Sequence, residues 1–433
     1  MNQIPRRVAV VGGIRTPFCR SNTYYSDLSN LDMMITTING LSRKYNLEDV
    51  HIDEVVGGAI VKHSKDWNLV REAVIGSNLA VSTPGVTMMQ ACGTSLQAAI
   101  GLSAKIALGE IECGIAIGSD TTSDVPLVLS KKLSKRLIEM TRRKGIFSKI
   151  KTLKGLKLRD LAPQSLSVAE PSTGLSMGQH CELMAQEWRV SREAQDQLVV
   201  ESHTKASIAY TEGYMDDLIV PCAGIYRDNN LRSNIDIDKL ITLSNTFERS
   251  SRGTLSAANS TSLTDGAASL LLASEDWAHD HDLPIQAYLT SFQTAANNFI
   301  SGDGLLMAPT IAVSRMLDRV GLTLQDFDFY EIHEAFAAQV LATLKAWEDE
   351  AYCKTLGRRF PMGSIDRSKL NVKGSSLAVG HPFAATGARI LANLAKLLDN
   401  QNGRRGLISI CTAGGMGVAA ILEGSKSTKN HLQ

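Results

Sequence analysis

Short apolar runs bounded by glycine or polar residues recur along the chain. They are Val8–Val11, Val55–Ala59, Gly114–Ile117, Ser269–Ala273, Phe329–Ile332, Gly406–Ile410 and Val418–Leu422. Runs of this length bounded in this way read as buried strands. Between several of them the apolar positions take helical spacing, over Ser95–Leu108, Ile311–Val320 and Thr386–Leu398. Strands alternating with helices predict an α/β protein. Residues 188–217 read as a helix pair capped by Ser191, with Glu193 and Ala194 in its first turn. His203, inside that stretch, reads as a partly exposed helix residue.

A weak repeat overlies this pattern. Cys92-Gly-Thr-Ser-Leu-Gln-Ala-Ala-Ile opens a small-residue helix and is followed by the apolar run GIAIGSD. Much later, Phe383-Ala-Ala-Thr-Gly-Ala-Arg-Ile opens another and is followed by GLISICTAGG. Helices this rich in Ala, Ser and Gly suit burial between layers, where small side chains permit close approach.

At 433 residues the chain is too long for one ordinary core, and two core halves are expected. Hydrophobic content of 44% and charged content of 21% fit a soluble globular protein. The 45 basic and 44 acidic residues give nothing that points to nucleic acid. No apolar run reaches the roughly eighteen residues that a membrane span needs. The N-terminal apolar run meets Gly12, Gly13 and Pro17 too soon for a signal peptide and reads as a first strand. None of the seven cysteines forms a C-x-x-C pair, so zinc and redox motifs find no support, and reduced thiols in a cytoplasmic protein are expected.

Charge is uneven, however. Residues 131–159 hold twelve Lys or Arg and a single acid, Glu139. Leu133, Leu137 and Met140 share one helical face, and Phe147, Ile150 and Leu153 another after Gly145. The segment reads as a basic amphipathic helical hairpin. It suits a solvated cover over its neighbours, contact with an anionic lipid surface, or docking of a partner subunit.

Three residues carry the candidate chemistry. Cys92 precedes a helix-forming run, where the positive helix end lowers a thiol pKa and favours the thiolate. A thiolate is a natural nucleophile for acyl transfer from a thioester. His381, between Gly380 and Pro382, is held at a helix start and can take a thiol proton near neutral pH. Cys411 ends an apolar strand at the turn TAGGMG, whose backbone N–H groups suit an oxyanion. Taken singly, each also fits a buried structural residue. His333 likewise ends a strand and starts a helix, with Glu334 able to orient it or to interact with the helix start.

These segments, taken in order, resemble the thiolase family over nearly the whole chain. Cys92 matches its acyl-accepting cysteine, His381 its Gly-His-Pro histidine and Cys411 its C-terminal acid/base cysteine. SMGQHCELMAQEW, SREAQD and GTLSAANSTSLTDGAA are similar to three further family segments. HEAFAAQ, with His333 where most thiolases carry Asn, GHPFAATGAR, ANSTSLTDGAA and the long basic insert look most like the β subunits of trifunctional fatty-acid oxidation complexes. The chain departs from the family pattern at Ala413, at GSDTTSD, and at Ser375-Ser376 before the histidine segment, where glycine is common.

The resemblance implies a thiolase fold, two similar βαβαβαββ-type halves in five layers (αβαβα) with an inserted loop domain. The first half would span 1–122 and 253–280, the loop domain 123–252 and the second half 281–426, with 427–433 as a tail. It implies an acyltransferase, a 3-ketoacyl-CoA thiolase of fatty-acid β-oxidation, with Cys92, His381, Cys411 and His333 catalytic. The backbone N–H groups of Cys92 and Ala413 would hold an oxyanion. Met177, Arg232, Thr261 and Phe336 would contact CoA or substrate. Neither a metal nor a permanently bound cofactor is implied; CoA enters as substrate. Expected partners are acyl-CoA, CoA and a second copy of the chain, with a larger assembly including a hydratase/3-hydroxyacyl-CoA dehydrogenase subunit as an option. A cytoplasmic location with peripheral membrane contact through 131–159 is the corresponding expectation. The rivals are an acetoacetyl-CoA thiolase working in the condensing direction, a decarboxylating ketoacyl synthase, against which Cys411 argues, and a non-catalytic lipid-binding relative.

Overall fold

The computed structural model describes residues 5–163 and 169–426, so the predicted 427–433 tail lies outside the described residues. Its strands are β1 (Val8–Arg15), β2 (Cys19–Arg20), β3 (Glu54–Gly58), β4 (Gly85–Thr87) and β5 (Cys113–Asp120). They continue with β6 (Thr264–Ser274), β7 (Ala287–Ala296), β8 (Phe329–Ile332), β9 (Arg405–Thr412) and β10 (Met416–Gly424). All seven predicted strands lie within or across these elements. β6 is buried at every position, which explains why it reads as a continuous apolar run rather than an alternating one. The pattern missed β7, AYLTSFQTAA, whose outer face mixes Thr, Ser and Gln with aromatics.

The main strand order is β4-β3-β5-β6-β1-β7-β10-β9-β8, with β2 beside β6. β3 runs parallel to β4 and β5, and β8 parallel to β9; the other pairs are antiparallel. The β1–β7 seam has only two facing pairs, Ala9↔Tyr288 and Val10↔Ala287, and joins two blocks of strands. Helices Thr94–Leu108 and Thr386–Gln401 pack on each other between the blocks. Asn30–Lys44 and Leu69–Ile75 cover the outside of the first block, and Ala308–Val320 covers β7 and β10 on the outside of the second. The result is five layers, α-β-α-β-α.

The repeat is present in three dimensions. Ala91–Gly93 and Phe383–Ala385 each form a single 3-10 turn, each leads into one of the two central helices, and each helix leads to a strand, β5 or β9. The small residues let these units touch. A Cβ on Gly387 would lie 2.3 Å from the Leu96 backbone nitrogen, and one on Gly118 would lie 1.9 Å from the Ala384 carbonyl. The Ala388 N–H donates to Ser95 Oγ at 2.8 Å across the same contact.

Between β5 and β6 the chain leaves the sheet. The stretch expected to hold a helix pair over 188–217 instead holds one helix, Arg192–Thr211, preceded by Met177–Glu187. Arg189 takes a left-handed conformation (φ 48°) that turns the chain between them, and Gly213 (φ +70°) follows the second helix. Ser191 caps it as predicted, accepting from the Ala194 N–H. The basic segment forms three short helices, Lys131–Thr141, Ile146–Thr152 and Leu158–Leu161, rather than a two-helix hairpin. Leu133 is buried, but Phe147 is 87% exposed and Ile150 60%, so the second predicted apolar face is left uncovered.

Candidate active site

The strand-to-helix turn before Thr94–Leu108 presents Cys92. Ala91 sits at φ 45°, a conformation non-glycine residues rarely adopt, and this places Cys92 at the mouth of the helix. From the equivalent turn of the second unit comes His381. Gly380 precedes it at φ +106°, where a Cβ would lie 2.7 Å from the Thr264 methyl, so this backbone admits only glycine. The His381 N–H donates to Thr264 Oγ1 at 2.7 Å.

The two side chains meet. His381 Nε2 lies 3.1 Å from Cys92 Sγ, and His381 Nδ1 lies 2.5 Å from Thr386 Oγ1. The Thr386 hydroxyl donates to the Pro382 carbonyl at 3.4 Å, so it accepts from Nδ1–H. That leaves Nε2 as the acceptor facing the thiol. Backbone N–H groups of Ala413 and of Cys92 itself are also directed at the sulfur. The pair is nevertheless not a resting thiolate, contrary to the expectation from the helix start. Burial, with Asp120 nearby, pushes the Cys92 thiol up to about 12, and burial, with Arg389, pushes His381 down to about 3. Both groups rest neutral, because no solvent stabilises either charge.

His333 joins them from the end of β8. The Cys92 sulfur and one ring nitrogen from each histidine lie within 4.8 Å of one another, and all three residues are buried. The two imidazoles are 4.2 Å apart between centroids, tilted by 50°. His333 Nδ1 contacts Ser376 Oγ at 2.8 Å, while Nε2 has no hydrogen-bond partner among the described residues. Glu334 makes no hydrogen bond to His333. It accepts from Ser202 Oγ and Asn371 Nδ2, each at 2.7 Å, and from the Leu377 N–H at 3.2 Å, tying three segments together beneath the site. Cys411, at the end of β9, is buried, and its thiol is pushed well up by burial and by the neighbouring Cys92 and Cys181.

Two acids escaped the sequence reading. Asp120, at the end of β5, is fully buried. It accepts from the Ile60 and Val61 N–H groups, both at 2.8 Å, and from the Ala384 N–H at 2.7 Å. It thereby links the first unit to the turn that follows His381. Glu170 accepts from the Gly414 N–H at 2.8 Å and braces the turn beside Ala413. Neither stands in a pattern that distinguishes it from a surface acid.

The expected CoA contacts are spread more widely. Arg232 lines a groove with His203, Asn230, Ser260, Ser262 and Leu377. His203 is buried there, not partly exposed as expected. Its Nδ1 accepts from the Arg232 N–H at 3.2 Å, and burial pushes the ring down to about 4. The Thr261 hydroxyl is already used, donating to the Ala335 carbonyl at 3.0 Å. Phe336 is buried and stacks edge-on against Phe247, at 6.0 Å between centroids. Met177 packs on the same apolar cluster as Phe247. The remaining marked segments brace one another. Asn259 Nδ2 donates to Asp196 Oδ1 at 3.1 Å, Arg192 bonds Asp196 at 2.7 Å, and Glu182 receives the N–H groups of Thr254 and Leu255.

A cysteine, a histidine acceptor and a second cysteine at the meeting of two related α/β units define a class of acyl-transfer enzyme, and the comparisons with known proteins agree. Residues 8–276 match the thiolase N-terminal domain and residues 283–424 the thiolase C-terminal domain. The chain belongs to the thiolase family and is an acyltransferase. It is 40% identical over 424 residues to a 3-ketoacyl-CoA thiolase of Vibrio cholerae, covering 96% of this chain and 97% of that one. A 3-ketoacyl-CoA thiolase of Shewanella baltica is 39% identical over the same shares. Among solved structures, human mitochondrial 3-ketoacyl-CoA thiolase superposes with a TM-score of 0.81 at 25% identity, covering 98% of this chain and 100% of that one. The acetyl-CoA acetyltransferase of Bacillus anthracis gives the same TM-score at 26% identity, covering 97% and 99%.

Proposed function

We propose that the chain is a 3-ketoacyl-CoA thiolase, cleaving 3-oxoacyl-CoA with CoA to acetyl-CoA and a shortened acyl-CoA. The observation that carries the reading is the Cys92–His381 contact at 3.1 Å, with backbone N–H groups on the sulfur and a second buried cysteine beside it. His381 Nε2 takes the Cys92 proton and the sulfur attacks the 3-keto carbon. The C2–C3 bond breaks and its electrons pass to the thioester as an enolate. His333 Nε2–H donates to the enolate oxygen, and Cys411 gives its proton to C2 to release acetyl-CoA. Incoming CoA gives its thiol proton to the Cys411 sulfur and attacks the acyl carbonyl, and the departing Cys92 sulfur takes back the proton held by His381. The N–H groups of Cys92 and Ala413 hold the oxyanion of each tetrahedral adduct, an interaction worth roughly 3 kcal/mol per donor. Ala413 serves through its backbone, so the departure from glycine costs it no donor. A solved human relative is described in complex with CoA. Here the Arg232 groove, with Met177, Thr261 and Phe336 nearer the site, is the proposed CoA path, and CoA is a substrate rather than a resident cofactor.

Assay of the purified protein with acetoacetyl-CoA and with a long 3-oxoacyl-CoA, each with CoA, tests this reading. Consumption of the long substrate is expected; loss of neither overturns it, and loss of acetoacetyl-CoA alone turns it to the short-chain rival.

The division at 1–122 with 253–280, 123–252 and 281–426 is our proposed domain organisation. A place in fatty-acid β-oxidation, in the cytoplasm and as at least a homodimer, completes the reading. Seven free, buried cysteines suit a reducing compartment. No helix among the described residues is long and apolar enough to cross a membrane. The 131–159 segment, with Phe147 and Leu158 almost fully exposed among lysines, supports contact with an anionic membrane surface or with a hydratase/dehydrogenase subunit. Vesicle flotation and pull-down with and without this segment test it; equal behaviour of the two proteins would reduce it to a surface cover.

A further inference from the structure

The two active-site imidazoles are wired differently on their outer sides. Thr386 gives its proton to a carbonyl and therefore receives one from His381. Ser376 is arranged the other way. Arg389 Nη2 reaches Ser376 Oγ at 2.7 Å, while Nη1 reaches Ser375 Oγ at 3.3 Å. A guanidinium can only donate, so the Ser376 oxygen is an acceptor in that bond. Among the described residues, His333 Nδ1 at 2.8 Å is the remaining partner of the Ser376 hydroxyl. Were Ser376 to accept from both, its own buried hydroxyl proton would be left without an acceptor; satisfying it sends that proton to Nδ1 and puts the ring proton of His333 on Nε2. That atom is buried and has no hydrogen-bond partner among the described residues, and one ring nitrogen of His333 belongs to the cluster around Cys92.

We infer that Ser376, pinned by Arg389, is a positioning residue that fixes His333 as a neutral donor through Nε2. The inference rests on the thiolase reading above and names the element that makes one histidine a donor while its neighbour remains an acceptor. The opposite tautomer would turn a lone pair toward a developing oxyanion, which repels it. Arg389 is itself buried, and burial pushes its guanidinium down to about 10 while the nearby Glu331 and Glu334 act in the opposite direction.

The step served by His333 is enolate formation, whereas transfer of the acyl group between Cys92 and CoA uses the backbone donors. Two exchange reactions of the intact enzyme separate them: solvent deuterium into the acetyl-CoA methyl group, and labelled CoA into acetyl-CoA. Ser376→Ala is expected to slow deuterium exchange by about 10- to 100-fold, less than the roughly 10²–10³-fold of deleting an oxyanion donor outright. CoA exchange should fall far less, and Ser376→Thr should restore deuterium exchange. In a His333→Ala background the same serine change should add almost nothing. Independently of any variant, ¹⁵N-histidine NMR of the wild-type enzyme should show the His333 ring protonated at Nε2, its signal assigned by its loss in His333→Asn. Equal loss of both exchanges in Ser376→Ala, full additivity with His333→Ala, or a wild-type His333 protonated at Nδ1 would each overturn the inference. A wild-type enzyme performing neither exchange would instead overturn the thiolase reading, and the NMR tautomer would remain a separate result.

Discussion

His381 Nε2 stands 3.1 Å from Cys92 Sγ, although 289 positions separate the two residues. They meet because each stands at the same kind of turn, Cys92 within Ala91–Gly93 and His381 just before Phe383–Ala385, and because the helices behind those turns carry almost no side-chain bulk where they touch. The contact is buried, and burial pushes the thiol up and the imidazole down, so both rest uncharged.

The first prediction concerns the nucleophile. Cys92→Ala should abolish acyl-enzyme formation and lower turnover by at least about 10⁴-fold, since Cys92 is the thiol in contact with the His381 acceptor. Intact-mass measurement after mixing with acetyl-CoA checks this. An acyl adduct retained on another cysteine would contradict the assignment.

Cys411→Ala should separate the two halves of the reaction. Acylation of Cys92 by a reactive analogue should survive, while α-proton exchange on acetyl-CoA should fall by about 10²–10⁴-fold, the usual range for a general acid. Exchange at the wild-type rate would remove Cys411 from the proton path.

A third prediction follows from the direction of the thiol shift. With Cys92 pushed up to about 12, the thiolate fraction is small at neutral pH. Alkylation of Cys92 by iodoacetamide should therefore accelerate by about tenfold per pH unit between about pH 7 and 9. A rate already flat across that window would mean a preformed thiolate, as the helix start alone suggested.

Asp120→Ala should destabilise the fold by about 3 kcal/mol, because three backbone N–H groups would lose a buried acceptor at once. Denaturant melts compared with wild type read this out. A change below about 1 kcal/mol would show that water or a relaxed backbone replaces the carboxylate.

Much of the fold was visible in one dimension because burial on both faces writes strands as unbroken apolar runs, as in β6. β7 was not, since one of its faces is only part-buried and mixes polar with aromatic residues. His203 was misjudged for a related reason: a helix pattern shows which face turns inward, but not that another chain segment, here Arg232, lies over it. Asp120 and Glu170 look like any acid until the backbone N–H groups that they receive are brought to them.

By itself the sequence determined the types of group available: two cysteines and two histidines at element ends, in segments that resemble those of the thiolase family. Tertiary structure decided their protonation and their pairing. The pKa of a thiol and the tautomer of an imidazole depend on desolvation and on hydrogen bonds to partners such as Thr386 and Ser376. Those are properties of the packed surroundings, which in the case of Cys92 overrode the local pull of its own helix.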